Sequence, residues 1–426
     1  MIKEEEYKKR RDTLASKMSK NSIAILFSTN YKTRSNDTEY PYRQDSNFYY
    51  MSGFKEDNSI LILIRKNRKY KSVLFVNKKE KIDELWNGKR LGKEEAKKRF
   101  LVDEVYIKDE FEKKFKEYLE GKDSLYFDFK LDYSKVKILK RYAKSLAIHK
   151  NIAKIIEQMR LVKSDAEIKL IKKAINITKE AHLNLMKLNK INKKEYQLQA
   201  DIEYTFKNNG AYSDAYTSIV AGGNNANTLH YIDNNQYLKE GDLILLDAGC
   251  EYEYYASDIT RTIPVNGKYT DEQKKVYNLV LNTQLKVLEA IKPNVKRSKL
   301  QKIAVNSITE ALVELGVLKG NIKKLIKNEK YKPYYPHGIG HWMGLDVHDS
   351  CPYKDKNGKE ISLAKGMVLT IEPGIYLDEE DKSVPKQYRG IGIRIEDDVL
   401  ITDDGYENLS SEIVKTIEDI ENLKGK

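Results

Sequence analysis

The chain has 426 residues, 40% of them hydrophobic, 33% charged and 10% aromatic, with only 8 prolines and 22 glycines. That is globular composition at a length one core rarely organises, so two domains are expected and low-complexity or collagen-like classes are excluded. The net charge of +13 (77 Lys and Arg against 64 Asp and Glu) is carried by lysines spread over helix faces, in no dense tract and no nucleic-acid motif, so no nucleic-acid partner is expected.

The first 150 or so residues alternate β-rich runs with amphipathic stretches. Ser22–Phe27, Ile60–Ile64, Ser72–Val76 and Leu125–Phe129 read as buried strands. Glu110–Glu120 and Lys135–Ala147 read as helices, giving an α/β domain with its own sheet. A boundary is expected near residues 155–163, dividing the chain into 1–158 and 159–426. Beyond it, Ser164-Asp165-Ala166-Glu167 and Thr270-Asp271-Glu272-Gln273 are capping boxes that open long amphipathic helices. No run of about 18 apolar residues exists to span a membrane. Met1–Glu6 has no apolar core of the secretory type, and Cys250 and Cys351 have no metal-ligand spacing, so a reducing cytoplasm is expected.

The chemistry concentrates in the second half. Three of the six histidines, His337, His341 and His348, fall within twelve glycine-rich residues. The apolar strand from Gly241 ends on Asp247, an acid that a buried strand end does not tolerate alone. Asp258 follows eleven residues later. A hairpin turn at 251–254 would set the two aspartates face to face, where they repel unless a cation sits between them. A second apolar strand runs into Glu372. In Gly390–Asp398 the alternation puts Ile391, Ile393 and Ile395 on one face, and Gly392, Arg394 and Glu396 on the other. Asp242 reads as a turn residue, and Asp397-Asp398 as polar strand-end sequence. Four strand-borne carboxylates carry −4, which two divalent cations would balance. Oxygen-rich ligation with one or two imidazoles suits Mn²⁺ and accepts Co²⁺ or Zn²⁺.

These residues resemble the metal-binding set of the pita-bread metallopeptidases, specifically the Xaa-Pro aminopeptidase (aminopeptidase P) family. The motifs occur in order: Asp247-Ala248-Gly249, Asp258-Ile259-Thr260-Arg261, His337-Gly338-Ile339-Gly340-His341, Glu372-Pro373-Gly374, and Gly390 through Asp398. Tyr42–Tyr50 and Trp86 with Gly88–Gly92 resemble the family's N-terminal part. The resemblance implies an N-terminal mixed-sheet domain followed by a C-terminal pita-bread catalytic domain, an α/β (α+β) chain overall. It implies two divalent metals: Asp247 on one, His341 and Glu372 on the other, Asp258 and Glu396 bridging. It further implies a bridging hydroxide that attacks the first peptide bond, with Glu372 handling the proton. His230 and His348 match substrate-contacting histidines, and His337 and Arg394 match the surrounding network. Tyr376 is a candidate for the pocket wall; Trp86 is a candidate either for that wall or for the core. The substrates implied are peptides with proline second, and the assembly a homodimer or homotetramer. Two other readings stay open: a prolidase restricted to dipeptides, and a pita-bread binding protein without activity.

Overall fold

The computed structural model describes residues 1–143, 146, 148–188 and 190–423, which form two compact units, Met1–Arg160 and Leu161–Lys426. The first unit is built on a six-stranded mixed sheet. Ser22–Phe27 lies inside it, antiparallel to Ile60–Lys66 and parallel to Ser124–Phe127. Lys69–Val76, Glu104–Ile107 and Ile148–Asn151 extend the sheet to its edges.

Ser22–Phe27 is buried at all six positions, which is why it reads as a continuous apolar run and not an alternating one. Ile23, Ile25, Phe27, Ile62, Val73 and Phe75 pack against Phe111 and Phe115, which lie one turn apart on the helix Phe111–Leu119. The strand expected to reach Phe129 stops at Phe127, where pairing with Asn151 ends; Phe129 is exposed. The helix expected over 135–147 runs from Tyr133 to Tyr142, capped by the Asp132 carboxylate on the Lys135 N–H. Lys144, Ser145 and Ala147 lie outside the described residues.

In the second unit both capping boxes form. Ser164 with Glu167 opens the helix Asp165–Lys187, and Thr270 with Gln273 opens Asp271–Glu289. Helices and strands share one apolar core, with Ile177, Phe206, Ile244, Ile263, Val280, Ile308, Ile371, Ile393 and Ile395 among its buried members. Three short antiparallel sheets and one two-stranded ribbon carry the polar strand ends.

The register of the first pair corrects one expectation. The turn falls on Glu253 and Tyr254, both with positive φ (48° and 71°), one residue later than the midpoint read from the sequence. Asp247 therefore pairs with Thr260, and Asp258 is not its cross-strand partner. Asp258 still reaches the same place, because Gly249 lets the chain close: a Cβ there would lie 1.9 Å from the Ser257 carbonyl oxygen. A second correction concerns Asp397 and Asp398. They begin the strand Asp397–Ile401 but are 0% exposed, so they are buried carboxyl groups and not solvent-facing strand-end residues. Among the described residues no helix is long and apolar enough to cross a membrane.

Candidate active site

A cavity of about 470 Å³ opens in the second unit, and the carboxylates from the two strand systems converge in it. Leu243–Asp247 brings Asp247 to its strand end, and Asp258 stands just before the paired strand Thr260–Pro264. Glu372 follows Val368–Ile371, while Arg394 ends Ile391–Arg394 and is followed two residues on by Glu396. His341 sits on the glycine-rich segment. That segment hugs the next strand so closely that a Cβ on Gly340 would lie 1.9 Å from the Thr370 carbonyl oxygen.

Three sets of ligand atoms lie within 4.8 Å of one another: Asp247, Asp258 and Glu396; His341, Glu372 and Glu396; Asp258, His341 and His348. Shared members make this one cluster with room for adjacent cations. His341 Nε2 is 3.2 Å from Asp258 Oδ2 and 3.7 Å from Glu372 Oε1. Its other nitrogen, Nδ1, donates to the Trp342 carbonyl at 3.0 Å, which fixes the tautomer and turns the Nε2 lone pair toward the carboxylates. A lone pair facing carboxylates is repulsive until a proton or a metal ion lies between them. Burial opposes charge on His341, but Asp258 and Glu372 outweigh it and hold the imidazole up at about 9.

The carboxylates show the same deficit of positive charge. Burial pushes Glu372 up to about 7, although His341 and Arg394 pull it down. Glu396 is driven well above the usual range by burial and by Asp258 and Glu372. Asp247 is also raised, despite the Arg394 guanidinium 2.6 Å away. One arginine does not balance four buried acids, so the donor set fits two divalent cations.

Around the acids lies a shell of directed donors. Tyr216 donates from one hydroxyl toward Asp247 Oδ1 and Asp258 Oδ1, both at 2.6 Å. Thr260 donates to Glu396 at 2.7 Å, and Thr370 to Glu372 at 3.2 Å. The Asp258 backbone N–H donates to Asp398. His337 Nδ1 donates to the Gly338 carbonyl, leaving Nε2 to accept from the Tyr376 hydroxyl at 2.8 Å. Burial and then Arg394 lower His337 to about 4, so it is a neutral acceptor. Arg394 in turn donates to the Tyr376 oxygen at 3.0 Å.

His230, His337, His348, Arg394 and the five acid and imidazole ligands named from the sequence all line the cavity. Tyr376 stands behind its wall, 4% exposed. Trp86 belongs to the first unit and is 81% exposed on the helix Lys81–Asn87, so it is not a core residue. Sequence reasoning missed Tyr216 and Arg297, and it named Thr260 and Asp398 only inside motifs, with no part in the site. Arg297 holds the Gly340 carbonyl with two N–H groups, at 2.9 and 2.6 Å. Tyr216 and Arg297 sit in no pattern of spacing, and the role of each of the four is defined by a partner far away in the chain.

Comparison with known proteins agrees with this geometry. Residues 169–403 match metallopeptidase family M24, and residues 7–126 match the aminopeptidase P N-terminal domain. The chain is 40% identical over 422 residues to the Xaa-Pro aminopeptidase of Haemophilus influenzae, covering 99% of this chain and 97% of that one. Its structure is similar to proline aminopeptidase P II from Yersinia pestis, with TM-score 0.94, 40% identity and 99% of each chain covered. It is also similar to zinc-substituted Escherichia coli aminopeptidase P in complex with product, with TM-score 0.95 and 38% identity over 99% and 98% of the two chains.

Proposed function

The chain belongs to metallopeptidase family M24, with an aminopeptidase P N-terminal domain ahead of a pita-bread catalytic domain, and from that premise we propose that it removes the N-terminal residue from peptides whose second residue is proline. The observation that carries this reading is the converging cluster of Asp247, Asp258, His341, Glu372 and Glu396, whose buried negative charge exceeds its internal compensation.

Those five residues would hold two divalent cations, Asp258 and Glu396 shared between them. Cations bound there supply a hydroxide nucleophile at neutral pH and polarise the scissile carbonyl. The protein's own groups do the rest. Glu372, which lines the cavity beside His341, is placed to take a proton and return it to the departing imide nitrogen of proline. His230 and His348 stand exposed at the cavity wall, where an imidazole N–H can meet charge developing on the carbonyl oxygen. Arg394 and His337 fix each other's orientation through the Tyr376 hydroxyl. Ile219, Leu229, Ile232 and Val347 give the same cavity an apolar wall. Recognition by shape is what proline requires, since its nitrogen has no N–H to offer.

The finer reading assigns Mn²⁺ as the working ion, on the oxygen-rich ligand set, with Zn²⁺ or Co²⁺ as substitutes. A chain with two cysteines, Cys250 and Cys351, both buried, supports a reducing cytoplasm. Ile82, Leu85 and Trp86 lie exposed together on one short helix, which supports a homodimer or homotetramer in which Trp86 narrows access to a neighbouring site.

The test is turnover with added Mn²⁺ on a peptide with proline second, a dipeptide ending in proline, and a peptide with alanine second. Release of the first residue from both proline substrates, and not from the third, is expected. Cleavage of the dipeptide alone would make the enzyme a prolidase. Cleavage of neither proline substrate would leave a binding protein.

A further inference from the structure

His230 lies on a loop with almost no backbone support. Among the described residues, no backbone–backbone hydrogen bond is made by any residue from 229 to 233. A histidine that must meet a carbonyl oxygen within hydrogen-bond range needs its main chain fixed by something else. Within 229–233 the side-chain hydrogen bond to another segment comes from the residue next to it, where the Tyr231 hydroxyl donates to Glu195 Oε2 at 2.8 Å; just beyond, Asn234 donates to Gln199 and to the Ser218 carbonyl.

Glu195 is 0% exposed and gathers the whole loop onto one carboxylate. Oε1 accepts from the Gly222 N–H at 2.8 Å and the Asn225 amide at 2.9 Å. Oε2 accepts from Tyr231 and from the Gln236 N–H at 2.9 Å. Four donors satisfy the carboxylate without a cation, and they come from both ends of the loop and from its middle. Burial and the Glu195 carboxylate push the Tyr231 hydroxyl up to about 12, so it remains a donor across the working pH range. On the other side of His230, Leu229 packs with Tyr231 on the apolar group of Ile219, Ala221, Ala226, Leu245 and Tyr376. His230 is thus the exposed residue between two anchored neighbours.

Taking His230 as a substrate-contacting group, as proposed above, we infer that Glu195, acting through the Tyr231 hydroxyl, is the positioning residue that sets the His230 imidazole over the cavity. Glu195 touches neither substrate nor ligand set; its effect passes through the loop. Tyr231→Phe removes the hydroxyl, with its bond to Glu195 and the one it accepts from the Asn235 N–H, and leaves the ring and its apolar packing in place.

The experiment is a double-mutant cycle on turnover of a peptide with proline second, with bound metal and Tm measured on every variant. Tyr231→Phe should lower kcat/KM about tenfold with unchanged metal content, since small misplacement of a catalytic-site group is costly. In the His230→Ala background the same change should alter kcat/KM by less than about twofold, because no imidazole remains to be misplaced. Glu195→Gln, which keeps volume but reduces acceptor capacity, should show the same dependence on His230. A full tenfold effect of Tyr231→Phe in the His230→Ala background would overturn the positioning role. So would a fall in Tm or metal content that accounts for the lost activity. If His230→Ala alone leaves kcat/KM intact, the reading of His230 itself fails, and the positioning role fails with it.

Discussion

The two units treat buried charge differently. Among the described residues the N-terminal unit buries no aspartate or glutamate, whereas the catalytic unit buries Glu167, Glu195, Asp247, Glu251, Asp258, Asp349, Glu396, Asp397 and Asp398. The charges the N-terminal unit does bury are arginines: Arg11 holds the carbonyl oxygens of Met51, Phe100 and Leu101, and Arg10 holds that of Tyr50 and pairs with Glu6. Its sheet is organised for packing. In the catalytic unit the buried acids sort by what compensates them. Asp397 has Arg261 and Lys415, and Asp349 has Lys163. Glu195 has four neutral donors, and Glu167 has the Ser164 N–H and the Tyr255 hydroxyl. Asp247, Asp258 and Glu396, with Glu372 beside them, share a single guanidinium. What marks the catalytic acids here is incomplete internal compensation together with a place on the cavity wall, which leaves the cluster to cations from solution. Asp398, with the Asp258 N–H on Oδ2 and no partner on Oδ1 among the described residues, is as poorly compensated but stands off the cavity.

The sharpest way to break that distinction is to remove a shared ligand. Asp258→Ala or Glu396→Ala should abolish bound metal and lower kcat by about ten-thousandfold, about 5 kcal/mol of barrier. Retained metal and turnover would make these acids structural after all, like Asp397. Next in size, Arg261→Met should lower the stability of the catalytic unit by about 3–5 kcal/mol, because Asp397 would keep only Lys415 as a cation. Hydrogen exchange resolved by residue would show the loss in 161–423 and not in the N-terminal sheet. Equal loss in both units would contradict their separate accounting. Metal supplied at a hundred times its Kd should stabilise the catalytic unit by about 2.7 kcal/mol for each site filled, relative to chelated protein. A thermal shift seen equally in N-terminal exchange would count against the proposed location.

The smallest effect belongs to the N-terminal unit, where the acids lie at or near the surface. Asp132→Ala, which deletes the cap of the helix Tyr133–Tyr142, should cost about 1 kcal/mol. The Ser134 hydroxyl and then the Lys135 N–H lower Asp132 to about 2. Because the folded value lies below the unfolded one, the cap stabilises fully above about pH 4 and is lost as pH falls toward 2. The wild-type and Asp132→Ala proteins should therefore converge in stability near pH 2; a gap that persists there would mean the carboxylate is not what caps the helix.

Much of this organisation was legible in the residues because it is local. Apolar runs, capping boxes and acids at strand ends depend on neighbours within a few positions, and they stand where spacing put them. Register was harder. The turn at Glu253-Tyr254 uses two non-glycine residues in left-handed geometry, which no turn signal announces, and so Asp247 was matched one turn position away from its partner Thr260. The burial of Asp397 and Asp398 depends on Arg261, Lys415 and the Asp258 N–H, all distant in sequence. Tyr216 and Glu195 were invisible for the same reason. Trp86 left two readings open, pocket wall or core, because a short helix with an apolar face has the same pattern in either setting.

The central claim is that the uncompensated acids of the catalytic unit await two cations that make the site work. Metal-stripped protein titrated with Mn²⁺, with bound metal and turnover of a peptide with proline second followed in the same sample, tests it most directly. Two ions bound per chain, with turnover absent before metal is added and restored by it, is the predicted result. Full turnover by folded protein shown to hold no divalent ion would contradict the account, as would folded protein that binds none.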